Sequence, residues 1–449
     1  MDSRIKKSRQ GTFYFASNIK KNFSRQVKVL LLEYSFKNFC SFDGEENFSL
    51  IAPKDGDEKN FPFNYVSENN FDIFKTAVIV GENAGGKTNF VKSLSYLKSF
   101  FKENNFVRSN LDFINDGKNF DEETIIADTE QKFFISALIE NVKYNYELVI
   151  DYLGIKEEIF SFFSEEIKIN ILKVTRSLEN IKLTDPIRMI ELKYRGDNDT
   201  LPTLKYEFAF EKNFVKKSVE EALRETDEEE HNGLNLSKLA IIGIKPAVKF
   251  VKWINENLLA NLPQNNFNKN LFVDDKKILS DKEKFLPILQ MADPSIKNFI
   301  LDFKEPFSNT KIIRENKNQH QASHELLNDS AGVRDFFSLA IQIYKVVHQD
   351  KTFFADEMDR SLNPVLSDKI VAFVNGSEHK GQFIFTTHNA FHLDLKIYMK
   401  EQIYFITKNL ETLNSELYSL ADFSDVSYDE TEPIYNFYLR GILGGVTLG

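Results

Sequence analysis

A lysine, a threonine, two adjacent carboxylates and a histidine stand in settings that would let them work on a phosphate. Gly81-Glu82-Asn83-Ala84-Gly85-Gly86-Lys87-Thr88 fits G-x-x-x-x-G-K-[ST] at every fixed position. Glycines there let backbone N–H groups turn inward around phosphate oxygens, and the N-terminus of a following helix adds a favourable field. With Asn89 these residues form the candidate nucleotide loop: Lys87 would reach the β/γ-phosphates and the Thr88 hydroxyl would hold Mg²⁺. Far downstream, Lys351-Thr-Phe-Phe-Ala-Asp-Glu357 is a short apolar run ending in paired acids, the Walker B arrangement. Asp356 would order Mg²⁺ together with Thr88, and Glu357 would polarise an attacking water in line with the γ-phosphate. Asp359 then fits a D-loop. His388 closes a second apolar run, Gly381–Asn389, after Thr386-Thr387, where it would sense the γ-phosphate. Between the two halves, Ser330 and Gly332 open a helix that continues through Phe337, Leu339 and Ile343. They suit an anion site, and an ordinary serine cap fits the same residues.

These groups need particular elements beneath them. Ala77–Val80 reads as a buried strand feeding the glycine loop, and Phe90, Val91, Leu94 and Leu97 share one face of the helix behind it. Val27–Phe36 reads as an opening strand, Lys37–Gly44 as a turn, Asn47–Ala52 as a second strand and Pro53–Asn70 as a polar loop. Lys132–Leu138, Lys143–Ile150 and Gly154–Phe160 alternate like an antiparallel meander, turning at Glu140-Asn141 and Tyr152–Gly154. Residues 165–305 read as mainly helical and charged. Helices are expected at Lys212–Arg224, at Leu236–Leu259 with a kink at Pro246, and at Asp281–Met291, with a strand at Ile296–Phe303. Residues 220–230 carry seven acids and one base; such a run is most simply a solvated loop, or a face for a basic partner.

The composition limits the remaining choices. The chain has 449 residues, 42% hydrophobic and 28% charged, enough for two or three domain-sized units. One cysteine, Cys40, rules out a disulfide framework and any Cys-pair zinc site, and suits a reducing cytoplasm. No run of about 18 apolar residues is present, and the N-terminus lacks a signal-type apolar stretch, so no membrane partner is expected. A net charge of −10 argues against a chain devoted to coating nucleic acid. Residues 1–28 nevertheless carry eight basic side chains against Asp2 alone, an arm that could contact phosphates or simply be solvated.

Taken in order, Gly81–Thr88, Ser330-Ala-Gly332, Asp356-Glu357, Asp359 with Ser361-Leu-Asn-Pro364, and Thr386-Thr387-His388-Asn389 resemble the ABC-type ATPases of the AAA family found in abortive-infection and anti-phage systems. The RloA, AbiL and PARIS-system ATPases are of that kind; OLD-family and SMC/RecF-like heads are more distant. The hairpin expected from Gln402–Lys408 and Ser415–Leu420, then Tyr438-Leu-Arg-Gly441 and Gly444, resembles that family's ending. The likeness covers about residues 28–160 and 320–445. The Ser330 signature departs from the transporter pattern Leu-Ser-Gly-Gly-Gln.

The resemblance implies an α/β P-loop fold of ABC-ATPase type, a mixed core sheet with an antiparallel subsheet and a mainly helical insertion. With the basic arm read from charge at 1–27, the expected organisation is a first ATPase lobe at 28–164 carrying Gly81–Thr88, a mainly helical insertion at 165–310 and a second lobe at 311–449. ATP and Mg²⁺ are the implied cofactors. Ser330 and Gly332 of one copy would complete the site of another, making a homodimer or larger assembly, and Asn38, Phe39 and Phe42 would pack beside the adenine or fill the core. A bridging glutamine is also usual; Gln131 is the only glutamine in its stretch and stays unassigned. The implied role is anti-phage defence, with control of a separate toxic effector such as a TOPRIM-like nuclease and a phage protein or nucleic acid as trigger. Sixty-one residues follow His388, so a nuclease is expected on another chain. The alternative is a RecF/SMC-like repair ATPase, which would hydrolyse faster on DNA.

Overall fold

The computed structural model describes residues 29–54, 61–102, 130–151, 154–164, 167–177, 203–208, 219–221, 223, 233–261, 273–305, 307–358, 362–424, 426 and 432–444. The described residues begin with strands β1 (Val29–Phe39) and β2 (Phe42–Ser49), then a hairpin of β3 (Tyr65–Glu68) and β4 (Phe71–Phe74). Strand β5 (Thr76–Gly81) leads through the glycine loop into helix α1 (Lys87–Lys102). Five strands follow: β6 (Gln131–Ile139), β7 (Val142–Asp151), β8 (Gly154–Ser164), β9 (Ile167–Ser177) and β10 (Thr203–Phe208). Next come α2 (Asn235–Ile241), α3 (Lys245–Asn257), β11 (Leu258–Asn261), α4 (Val273–Ser280) and α5 (Lys282–Ala292). A small sheet of β12 (Ile296–Ile300), β13 (Lys311–Glu315) and β14 (Gln321–Glu325) precedes α6 (Ala331–Gln349). The last elements are β15 (Thr352–Ala355), α7 (Pro364–Gly376), β16 (Gln382–Thr387), β17 (Ile403–Lys408), β18 (Ser415–Ser419) and α8 (Ile434–Leu439).

Two large sheets enclose α1. The core sheet runs β11-β15-β16-β5-β17-β18, with five parallel strands and β18 antiparallel at the edge. The second sheet, β10-β9-β8-β7-β6-β1-β2, is antiparallel throughout. Every residue of β5 is buried, as the unbroken apolar run requires of a strand covered on both faces. Alternation then sorts its side chains. Ala77 and Ile79 face the core shared with α1 and the antiparallel sheet, while Val78 and Val80 face the core built with α5, α6 and α7. Phe90 of α1 spans the first core, meeting Phe48 at 5.6 Å, Phe36 at 6.1 Å and Phe354 of β15 at 6.2 Å between ring centroids.

The meander at 131–164 forms as expected. Other elements differ from the sequence reading. The second strand starts at Phe42, because Cys40-Ser41 alone make the turn and the chain re-pairs from Phe42 with Phe39. Part of the polar loop is the β3–β4 hairpin, turned by Asn69-Asn70 with φ of 48° and 66°, values asparagine tolerates. Within the stretch read as mainly helical, β9 and β10 lengthen the antiparallel sheet; Ile167, Ile169 and Ile171 carry a β period that the charged residues disguise. The helix read over 236–259 is two helices broken at Gly243 (φ 86°), with Pro246 in the first turn of α3 rather than at a kink. Its last residues are β11, paired in parallel with β15, so this part of the chain completes the core sheet. The expected strand at 296–303 ends at Ile300. The basic arm, most of Lys212–Arg224 and residues 224–230 of the acidic run lie outside the described residues.

Glu158 explains how α2 is fastened. Fully buried on β8, its carboxylate accepts from Asn235 N (2.8 Å), Asn235 Nδ2 (2.9 Å), Leu236 N (2.9 Å) and the Tyr146 hydroxyl (3.1 Å). It caps a helix whose own N-cap, Leu234, has no side chain able to do so. Burial pushes the Glu158 pKa up, against the pull of those four donors.

Candidate functional site

Strand register brings the chemistry to one edge. Ala355 pairs with Phe385, Thr387 with Val80, and Ile406 with Gly81, so β15, β16, β5 and β17 end side by side. The carboxyl ends of parallel strands are where open α/β sheets bind ligands. The loop from Gly81 closes onto α1 with Gly85 N donating to Glu82 O at 3.1 Å. Lys87 is buried, and its ammonium donates to the carbonyls of Gly81 and Glu82, both at 2.7 Å. Glu82, Gly86 and Asn89 are half-buried, Gly85 is buried, and Asn83, Ala84 and Thr88 are exposed. Ala84 adopts φ 63°, a left-handed conformation that costs an L-residue about 1 kcal/mol.

Asp356, just past β15, is held from β16. The residue is 6% exposed, and its Oδ1 accepts from the Thr386 hydroxyl at 2.6 Å. The same Thr386 oxygen accepts from Glu357 N at 2.8 Å, and the Thr386 carbonyl accepts from Met358 N at 3.2 Å. Burial pushes the Asp356 carboxyl up; Thr386, the Thr88 hydroxyl and the Lys87 charge pull it down, and Glu357 raises it. Glu357 itself sits at φ 47°, so the backbone turns sharply just after the strand. His388 is exposed one residue beyond β16, on the same edge. The structure therefore gathers Lys87, Thr88, Asp356, Glu357 and His388 at adjoining strand ends.

The loop is also held from outside, by residues the sequence reading did not single out. Ser415 of β18 donates its hydroxyl to Gly85 O at 2.7 Å and lies 2.8 Å from the Ser41 hydroxyl; Asn89 Nδ2 donates to Ser41 Oγ at 2.9 Å. Gly86, at φ 120°, packs so closely on Ser415 that a Cβ there would collide with it, and one on Gly81 would strike the Ile406 carbonyl. The glycine spacing thus answers to β17 and β18 as well as to a phosphate. Only the short Ser41 turn and the expected hairpin hinted at this.

Other candidates are placed differently. Phe39 and Phe42 are buried core rings, Phe42 lying 5.1 Å edge-on to Phe36 and Phe39 6.1 Å from Phe133. They take the core-filling alternative rather than a place beside adenine. Asn38 (φ 54°) donates to Glu130 O, and buried Gln131 donates back to Asn38 O at 2.6 Å, so both serve the β1–β6 junction. Ser330 is the N-cap of α6, accepting from Val333 N at 3.4 Å, with Gly332 in the first turn. That is the ordinary cap; α6 packs on the face of the core sheet opposite α1. The Arg314 guanidinium, bound to Asp293 (2.7 Å) and Asp329 (2.8 Å), steadies the approach to Ser330. Tyr438 of the C-terminal helix lies near enough for the Glu82 charge to act on its hydroxyl, with burial the larger cause of its raised pKa. Asp359 lies outside the described residues.

The oxygen donors suit a divalent cation of Mg²⁺ type. Asp356 Oδ2 is buried without a well-formed hydrogen bond among the described residues, and the Thr88 hydroxyl lies beside the same carboxyl. Among the described residues no group of three His, Cys, Asp or Glu could hold a metal alone. Mg²⁺ commonly takes one or two carboxylates and completes its shell from water and phosphate.

A family profile described as "AAA domain, putative AbiEii toxin, Type IV TA system" matches residues 77–394, more than half of the chain. The chain belongs to this AAA-domain family. Its members carry a nucleotide-binding ATPase domain, and the matched span runs from the strand before Gly81 to just past His388. No curated protein matches the sequence. Among solved structures, an Smc head bound to the C-winged helix domain of ScpA is 12% identical at a TM-score of 0.41, covering 87% of this chain and 97% of that one. A Pyrococcus furiosus Smc head with an extended coiled coil is 13% identical at 0.40, covering 87% and 96%. The Thermotoga maritima SMC head is 13% identical at 0.38, covering 87% and 98%. Overlaps this loose place no residue and assign no partner. The fold of this AAA-family chain, a P-loop ATPase of ABC type, follows from its own parallel core sheet, antiparallel subsheet and enclosed α1. Among the described residues no helix is long and apolar enough to cross a membrane.

Proposed function

We propose that the chain binds and hydrolyses ATP as a switch whose complete site forms between two copies. The observation that carries this is the meeting of Lys87, Thr88, Asp356 and Glu357 at adjoining strand ends, with the Asp356 carboxylate held by Thr386. In this reading Lys87 leaves the Gly81 and Glu82 carbonyls for the β/γ-phosphates, and Thr88 and Asp356 hold Mg²⁺. The metal would neutralise phosphate charge. Glu357 orients the water and His388 senses the γ-phosphate. The position of α6, across the core sheet from α1, favours Ser330 and Gly332 acting on a neighbour's nucleotide rather than their own, which makes ATP an adhesive between copies.

Control of a separate toxic effector, such as a TOPRIM-like nuclease, in the manner of the RloA, AbiL and PARIS-system ATPases is the role we propose for that switch. The toxin–antitoxin description of the family supports it. The test is ATP turnover and nucleotide binding by the purified chain. Lys87→Ala is expected to lose binding and any nucleotide-driven assembly. Glu357→Gln is expected to bind normally and stop turning over, and undiminished turnover would remove Glu357 as the carboxylate that activates the water. Protein taken from its own cells should bring its effector with it in native mass spectrometry.

A further inference from the structure

We infer that Thr386 is a positioning residue for the ATPase site, the single hydroxyl that sets both acids. This rests on the ATPase reading above and extends it to a side chain on a neighbouring strand. Thr386 is 1% exposed, in the last turn of alternation before β16 ends. Its Oγ1 donates to Asp356 Oδ1 at 2.6 Å and accepts from Glu357 N at 2.8 Å, while its carbonyl accepts from Met358 N at 3.2 Å. Three consecutive residues beyond β15 are thereby tied to one residue of β16.

The consequences differ for the two acids. With Oδ1 engaged, rotation of the Asp356 carboxylate is arrested, and the other oxygen, Oδ2, is left with no well-formed hydrogen bond among the described residues, in a carboxyl that the Thr88 hydroxyl also acts on. A lone Asp could turn either oxygen to a cation; the Thr386 bond selects one. Glu357 is reached through its backbone. Its left-handed conformation (φ 47°) directs where its side chain leaves the strand, and the N–H that fixes that turn is the one Thr386 accepts. A hydroxyl is needed because the group must donate on one side and accept on the other, which valine cannot do and serine can. Outer partners of this kind change metal affinity or activity by about 10–100-fold when removed.

The experiment uses the full chain with three changes at one position, reading fluorescent-ATP binding in EDTA and in Mg²⁺, turnover, and thermal unfolding. Thr386→Val keeps the shape and removes the hydroxyl. In EDTA its affinity should stay near wild type, since Lys87 and the glycine loop are untouched. The extra affinity that Mg²⁺ gives the wild type should largely vanish, and turnover should fall at least about tenfold. Thr386→Ser should restore both. Should the valine variant not fold, Thr386→Cys, with its weaker donor and acceptor, carries the same comparison and should fall between serine and loss. Mg²⁺-dependent binding and turnover that survive Thr386→Val, in a wild type that has both, overturn this inference and leave the ATPase reading standing. Serine behaving no better than valine also overturns it, since packing alone would then be at stake. A wild type that binds no nucleotide overturns both together.

Discussion

The two ends of the core sheet are built from similar residues on opposite terms. At the amino end, Gln382 is fully buried and all four of its side-chain positions are used: Oε1 accepts from Leu31 N (2.8 Å) and Thr352 Oγ1 (2.9 Å), and Nε2 donates to Leu31 O (2.9 Å) and Phe74 O (3.3 Å). Gln402, before β17, is as complete, accepting from Asn64 and Met399 and donating twice to Thr76. At the carboxyl end of the same strands, Asp356 keeps a buried oxygen without such a bond among the described residues, and Ala84 and Glu357 are wound left-handed. Satisfied polar burial fixes one end as a joint between sheets. Unsatisfied burial and local strain at the other are what a ligand site retains in place of stability.

Changes at the two ends should therefore have opposite signs. The largest effect is expected at the joint. Gln382→Leu would leave the Leu31 amide and carbonyl and the Thr352 hydroxyl without partners, and should cost about 3–4 kcal/mol in urea unfolding. A loss near zero would remove the contrast. Next is Glu46, buried on β2 and accepting from Leu417 N (2.7 Å) of the hairpin whose Ser415 holds the loop. Burial raises its pKa from 4.5 to about 7, outweighing the Leu417 hydrogen bond. A raised folded pKa means its contribution is complete below the unfolded value and is lost as pH climbs through about 7. Wild type should thus lose about 1–3 kcal/mol between pH 5 and 8 relative to Glu46→Gln, read from paired melts. Parallel curves would contradict this.

At the site end, stability should rise as function falls. Burial holds the Asp356 pKa up, so its charge opposes folding, and Asp356→Asn should be more stable than wild type at pH 8 while ending Mg²⁺-dependent binding. A destabilised Asn variant would mean that this carboxylate is as structural as Gln382. The smallest effect is at Ala84: glycine there relieves the left-handed strain at some cost in unfolded-chain entropy, for a net gain of about 0.5 kcal/mol in the same unfolding assay.

How far the sequence discloses all this depends on range. The strand, glycine loop and helix around Gly81–Thr88 are local, and the apolar runs ending in Asp356 and His388 are equally plain. Contacts between distant segments are not. Nothing near Gln382 points to Leu31, and nothing near Ser415 points to Gly85. Thr386 was visible as a neighbour of His388, but its bond to Asp356 exists only because Ala355 and Phe385 are in register. The aromatics Phe39 and Phe42 went to the core because a buried antiparallel edge needed rings more than a loop did. Leu258–Asn261 is only four residues long, and its Leu-Leu-Ala run cannot be told from a helix end.

The central claim is that nucleotide at the carboxyl end joins two copies. The direct measurement is the solution mass of Glu357→Gln by sedimentation, with saturating ATP and Mg²⁺ and again without nucleotide. The account predicts a nucleotide-dependent shift to twice the chain mass or a multiple of it, lost in Glu357→Gln combined with Lys87→Ala. An unchanged mass, with nucleotide shown to be bound, would contradict it.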